Sequence, residues 1–122
     1  MKRIIIDLDD TICVTVNGDY ENSILRSGIK EKLEEYRREG FEIVISTSRN
    51  MRTFSGNLGK INANTLPVVL DWLKKNDIVF DEIYMGKPWC GTEGFYVDDR
   101  AIRPDEFEKM SYSEIKKIIG LT

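Results

Sequence analysis

A chain of 122 residues is long enough for one ordinary domain with a real core and too short for a second domain of normal size. Its 41% hydrophobic and 32% charged residues exclude wholesale disorder, because there is enough apolar surface to offset the entropy of folding. A formal charge of -3, with no dense Lys/Arg stripe, excludes an electrostatic case for nucleic acid or an anionic membrane, so the expected partner is a small molecule.

The first element is Ile4-Ile5-Ile6-Asp7-Leu8, a β-branched run ending in acid that reads as a strand buried on both faces of a parallel sheet. The same run, after Met1-Lys2-Arg3, is cut off by Asp7 well short of a signal-peptide core, and no other stretch approaches transmembrane length. Cys13 to Arg26 reads as a short hairpin flap, since Asn17-Gly18 favours a tight turn. From Ser27, Ile29, Leu33 and Tyr36 fall at helical spacing among charged residues, and Gly40 is placed to stop that helix.

Phe41 to Ile45 is the second buried strand, followed by a polar stretch from Ser46 to Asn64. Leu66, Val69, Leu70 and Leu73 mark a second amphipathic helix with Pro67 in its first turn. Ile83-Tyr84-Met85 and Phe95-Tyr96-Val97 read as two further strands. Ser111-x-x-Glu114 is a capping box opening a last helix, with Ile115, Ile118 and Ile119 inward and Gly120 at its end. This alternation predicts a single α/β domain over residues 1–122, a three-layer α/β/α sandwich around a mostly parallel, Rossmann-like sheet without a large cap domain.

Such sheets bind ligands at the carboxyl ends of their strands. Strand one ends in Asp7-Leu8-Asp9-Asp10-Thr11 and strand two in Ser46-Thr47-Ser48-Arg49. Strand three leads to Gly86-Lys87-Pro88 and strand four to Asp98-Asp99-Arg100. A lone acid after a strand is usually a cap or a solvated loop residue; four polar sites after four strands are harder to dismiss. Gathered together, Asp7, Asp9, Asp98 and Asp99 would repel one another unless a cation sat among them, and oxygen-only ligation suits Mg²⁺. Lys87 then completes a cup for a phosphoryl group. Histidine chemistry is excluded, since the chain has no histidine, and Cys13 and Cys90 read as free thiols of a cytoplasmic protein.

These motifs, hhhDxDxT, hhhT, Lys and hhhDD in this order, resemble the haloacid dehalogenase-like (HAD) phosphatases over nearly the whole chain. The resemblance implies that Asp7 attacks phosphorus to form an aspartyl-phosphate and that Asp9 protonates the leaving oxygen and then activates water. It implies Mg²⁺ on the Asp7 side chain and the Asp9 backbone carbonyl, with Asp98 and Asp99 completing the site. Thr47, with Ser46 as the alternative, would bind phosphate, and so would Lys87 in preference to Lys60. Asp10 stands where glycine is common. Arg49, Asn50, Arg52, Lys60 and Trp89 are candidate substrate contacts, although Trp89 reads more readily as core packing, and residues 13–26 and 51–64 are the stretches that could form flaps. The short form and the segments Asn50-Met51-Arg52, Gly86 to Gly91 and Asp98 to Pro104 look like a capless HAD subgroup labelled capsule biosynthesis phosphatase.

The expected function is hydrolysis of a phosphomonoester such as a sugar or polyol phosphate. A phosphoacceptor receiver domain would place its acids and lysine in a different order. A non-catalytic phosphosugar-binding subunit would be expected to lack a catalytic acid, and none is lacking.

Overall fold

The computed structural model describes residues 1–121, which divide into two compact units, Met1–Trp89 and Cys90 onward. In the first, β1 (Arg3–Ile6), β4 (Glu42–Thr47) and β5 (Glu82–Met85) form a parallel sheet in the order β1-β4-β5. Between β1 and β4 lie a two-stranded antiparallel hairpin, β2 (Cys13–Val14) and β3 (Ile24–Leu25), and helix α1 (Ser27–Arg38). Helix α2 (Leu58–Lys75) connects β4 to β5. The α/β class expected from the alternation holds: a parallel sheet flanked by helices, with no closed barrel.

Register decides what the sheet buries. Ile6 pairs with Ile45 and Ile45 with Ile83, so these side chains share one face, together with Ile4, Ile43 and Thr47. Ile29, Leu33 and Tyr36 of α1 are buried as their spacing predicts, and Tyr36 meets Phe41 edge to face at 5.0 Å. The opposite face carries Arg3, whose guanidinium reaches Glu42 (3.5 Å) and Glu82 (3.2 Å), and Ile5, which is 65% exposed. β1 is therefore buried on one face rather than two.

Helix α2 corrects the reading of the polar stretch. It begins at Leu58, where the Asn57 side chain accepts the Lys60 backbone N–H (3.1 Å), so residues 58–64 are helix rather than flap. Its inward stripe is Ile61, Thr65, Val69, Trp72 and Leu73, whereas Leu70 is exposed. Pro67 lies mid-helix instead of in the first turn. Proline has no N–H to bond the Ala63 carbonyl, and both residues are exposed.

The second unit holds two short helices, α3 (Pro104–Lys109) and α4 (Tyr112–Ile118). The capping box of α4 is formed in both directions, Glu114 N–H to Ser111 Oγ at 3.2 Å and Ser111 N–H to Glu114 Oε1 at 3.0 Å. Ile115 is buried but Ile118 is half exposed, so the inner side of α4 is narrower than expected. Phe95-Tyr96-Val97 forms no strand, and Phe95 and Val97 are 80% and 88% exposed. A strand needs a paired neighbour, and the described residues of this unit supply none. Among the described residues no helix is long and apolar enough to cross a membrane.

Candidate functional site

The loop after β1 is held by one carbonyl. Leu8 is fully buried, and its oxygen accepts the N–H groups of Thr11 (3.3 Å), Ile12 (2.9 Å) and Cys13 (3.2 Å). That tight turn puts Asp10 at φ +59, in the left-handed region where glycine is at ease and aspartate is tolerated. The Asp10 side chain is exposed, so the glycine-like position reflects backbone geometry.

Asp7 and Asp9 leave this turn in different surroundings. Asp7 Oδ1 lies 3.9 Å from Lys87 Nζ. Burial pushes the Asp7 carboxyl up, Lys87 and the Leu8 N–H oppose that, and the negative charges of Asp9 and Asp10 add to it. Asp9 is instead clamped by Arg49: Nε donates to Oδ2 (3.1 Å) and Nη2 to Oδ1 (2.8 Å). This is a two-point guanidinium–carboxylate pair, with the Arg49 side chain 1% exposed.

Arg49 was expected as an exposed substrate donor; the structure buries it and commits its fork to Asp9. Nη1 is buried with no hydrogen-bond partner among the described residues, and the guanidinium carbon sits 4.1 Å from the centre of the Tyr20 ring. Thr15 Oγ1 donates to Asp9 Oδ1 (3.2 Å) and is 2.6 Å from Ser23 Oγ. The hairpin bearing Tyr20, Thr15 and Ser23 is fastened to α2 by Trp72, whose Nε1 donates to the Ser23 carbonyl (2.9 Å). In that hairpin Asn17 and Gly18 both have positive φ and Asp19 N–H bonds Val16 O, as the Asn-Gly pair predicts. The turn does not join the strands directly, because a 3₁₀ turn at Tyr20–Asn22 intervenes.

Thr47 ends β4 fully buried, and its Oγ1 accepts the Arg49 backbone N–H (3.1 Å), which leaves its own hydrogen to donate. Ser46 lies on the opposite face, level with Tyr84. Lys87 N–H bonds the Thr47 carbonyl (3.1 Å), so the ends of β4 and β5 are tied together behind Asp7. Gly86 makes that possible: its φ is +88, and a Cβ there would lie 2.3 Å from Leu58 Cδ2. Lys60 sits exposed in the first turn of α2, so Lys87 is the lysine beside Asp7.

Asn50 is taken up internally, donating to Thr53 Oγ1 (3.1 Å) and accepting from Thr65 Oγ1 (2.8 Å). Arg52 lies over the Trp89 ring at 5.7 Å, and Trp89 is 42% exposed rather than part of the core. Asp98 and Asp99 belong to the second unit, on a turn where Asp98 Oδ1 accepts the Arg100 N–H (2.9 Å). Among the described residues no group of three or more acidic, cysteine or histidine side chains forms a metal-binding cluster. Sequence reasoning placed Thr15 and Tyr20 in the 13–26 flap but assigned them no contact with Asp9 or Arg49, and it missed Trp72, which holds the hairpin from a distant segment.

Neither a family model nor a curated protein matches the chain. Among solved structures it is similar to the crystal structure of a target protein from Vibrio cholerae, at 52% identity over 99% of this chain and 98% of that one, with a TM-score of 0.96. It is also similar, at 20% identity and a TM-score of 0.52, to a chain of the Pnkp1/Rnl/Hen1 complex. That match covers 88% of this chain and 34% of the other, and speaks to fold alone.

Proposed function

The chain belongs to the same family as the Vibrio cholerae protein, and we propose that it is a cytoplasmic, Mg²⁺-dependent phosphomonoesterase of the capless HAD type. The observation that carries this reading is the pairing of unequal acids on one loop. Asp7 is partly open beside Lys87, and Asp9, two residues on, is anchored by Arg49.

Asp7 and Asp9 offer the hard oxygen donors that suit Mg²⁺. Three aspartates lie within four residues, and burial already disfavours the charged form of Asp7, so a divalent cation would offset the conflict. The Asp7 carboxylate and the Asp9 carbonyl would hold it. Bound there, Mg²⁺ would neutralise charge on the phosphoryl oxygens.

The chain's own groups then divide the work. An Asp7 oxygen attacks phosphorus as the ester P–O bond breaks, and the Asp9 carboxyl gives its proton to the departing alkoxide. The resulting Asp9 carboxylate takes a proton from water, which attacks the aspartyl-phosphate; the acyl-phosphate P–O bond breaks and its electron pair returns to Asp7. Lys87 and the Thr47 hydroxyl orient the phosphoryl oxygens. Arg52 over Trp89 supports a contact to the remainder of the substrate, a sugar or polyol in capsule or polysaccharide assembly.

The test is release of phosphate from 4-nitrophenyl phosphate and from a panel of sugar, polyol and nucleotide phosphates, with Mg²⁺ and with EDTA. Metal-dependent turnover that disappears in Asp7→Asn is expected; equal turnover by Asp7→Asn would sink the assignment.

A further inference from the structure

Arg49 is an odd residue to bury. Its side chain is 1% exposed and Nη1 finds no hydrogen bond among the described residues, which leaves a buried donor unsatisfied. The residue nevertheless spends Nε and Nη2 on one carboxylate, at 3.1 and 2.8 Å. Tyr20 stacks on the guanidinium from the hairpin, and Thr15 adds a third donor to the same carboxylate.

The geometry points to Arg49 as a positioning residue for Asp9, with Tyr20 and Thr15 bringing the hairpin into the same device. This rests on the phosphatase reading, in which Asp9 is the acid/base. Two parallel N–H···O bonds fix the plane and rotation of the carboxyl group, which a single contact cannot do. Oδ1 already accepts from Arg49 Nη2 and Thr15 Oγ1, whereas Oδ2 accepts from Arg49 Nε, so the clamp leaves a lone pair on Oδ2 for the proton that Asp9 moves. Arg49 is thereby assigned to the proton donor and not to the substrate phosphate.

A misaligned acid is distinguishable from a damaged fold or a lost phosphate contact by its dependence on the leaving group. An ester whose departing oxygen is weakly basic needs little protonation; one whose departing oxygen is strongly basic needs much. The experiment measures kcat/KM for phenyl phosphate and for 2,4-dinitrophenyl phosphate, in wild type, Arg49→Lys and Thr15→Val, with thermal midpoints recorded alongside.

Arg49→Lys keeps the charge but loses the fork. It should reduce kcat/KM on phenyl phosphate by about 10²-fold, within the range general acid catalysis supplies, and on the dinitrophenyl ester by only a few-fold. Thr15→Val, nearly isosteric, should shift the ratio of the two in the same direction by about 3-fold. Equal losses on both esters, or no loss in either variant, would overturn the inference while leaving the phosphatase reading in place. Failure of the wild type to hydrolyse either ester with Mg²⁺ would instead remove the phosphatase reading, and this inference with it.

Discussion

Asp7 and Asp9 are separated by one buried leucine, yet the fold treats them as opposites. Asp7 is pushed toward its neutral form by burial and by its acidic neighbours, against one lysine at 3.9 Å. Asp9 is held by a buried arginine with two short bonds and by a threonine from the hairpin. In the proposed reaction the acid that would bond to phosphorus is left under-stabilised, and the acid that would move a proton is locked in orientation. Two carboxylates of the same type thus have opposite surroundings, which the proposed mechanism reads as different duties.

The largest expected effect tests both halves of that contrast at once. Asp7→Asn should lose about 10³-fold or more in phosphatase turnover without any fall in thermal midpoint, because it removes a charge that the site disfavours. Asp9→Asn should also lose activity, by about 10²-fold or more. Unlike Asp7→Asn it should lower stability by about 2 kcal/mol, since Arg49 is left buried without its ion-pair partner. Midpoints that move alike in the two variants would erase the distinction.

A smaller effect separates the supports of the two sides. Gly86→Ala drives a Cβ into Leu58 at a positive φ behind Lys87, and should cost about 1–2 kcal/mol in chemical denaturation while weakening the Asp7 side. Trp72→Phe removes the bond to the Ser23 carbonyl and should cost about 1 kcal/mol. Its signature should be faster amide exchange in residues 13–25, on the Asp9 side only. Uniform exchange across the unit would contradict the role given to Trp72 as the hairpin's fastening.

The smallest effect concerns the thiols. Burial first, and then the charge of Asp9, push the Cys13 thiol up to about 11, with Arg49 opposing. Iodoacetamide at pH 8 should therefore modify Cys90 before Cys13, read by peptide mass mapping. Because the folded value lies above the ordinary one, the stability linked to Cys13 is intact below pH 9 and is lost as pH rises toward 11.

Much of the site was legible because it is written in local runs. Ile4-Ile5-Ile6 followed by Asp-x-Asp announces a strand and its polar end without help from the rest of the chain, and so does Ser46-Thr47 after Ile43-Val44-Ile45. The beginning of α2 was not legible, since Asn57 to Asn64 contains asparagines and a glycine that disfavour helix, and only the burial of Ile61 and Thr65 makes those turns worthwhile. Phe95-Tyr96-Val97 misled in the other direction: its residue types suit a strand, but a strand is made by a partner, and the described residues of its unit hold none.

By itself, then, the sequence determined the α/β class, the acids after the first strand and the lysine after Met85, because strand periodicity and loop chemistry are properties of neighbouring residues. Only the tertiary structure decided what Arg49 does. Its partners Asp9 and Tyr20 lie 40 and 29 positions away, so no spacing rule connects them. The burial that turns a surface-like arginine into the anchor of Asp9 exists only once β4, the hairpin and α2 are packed together.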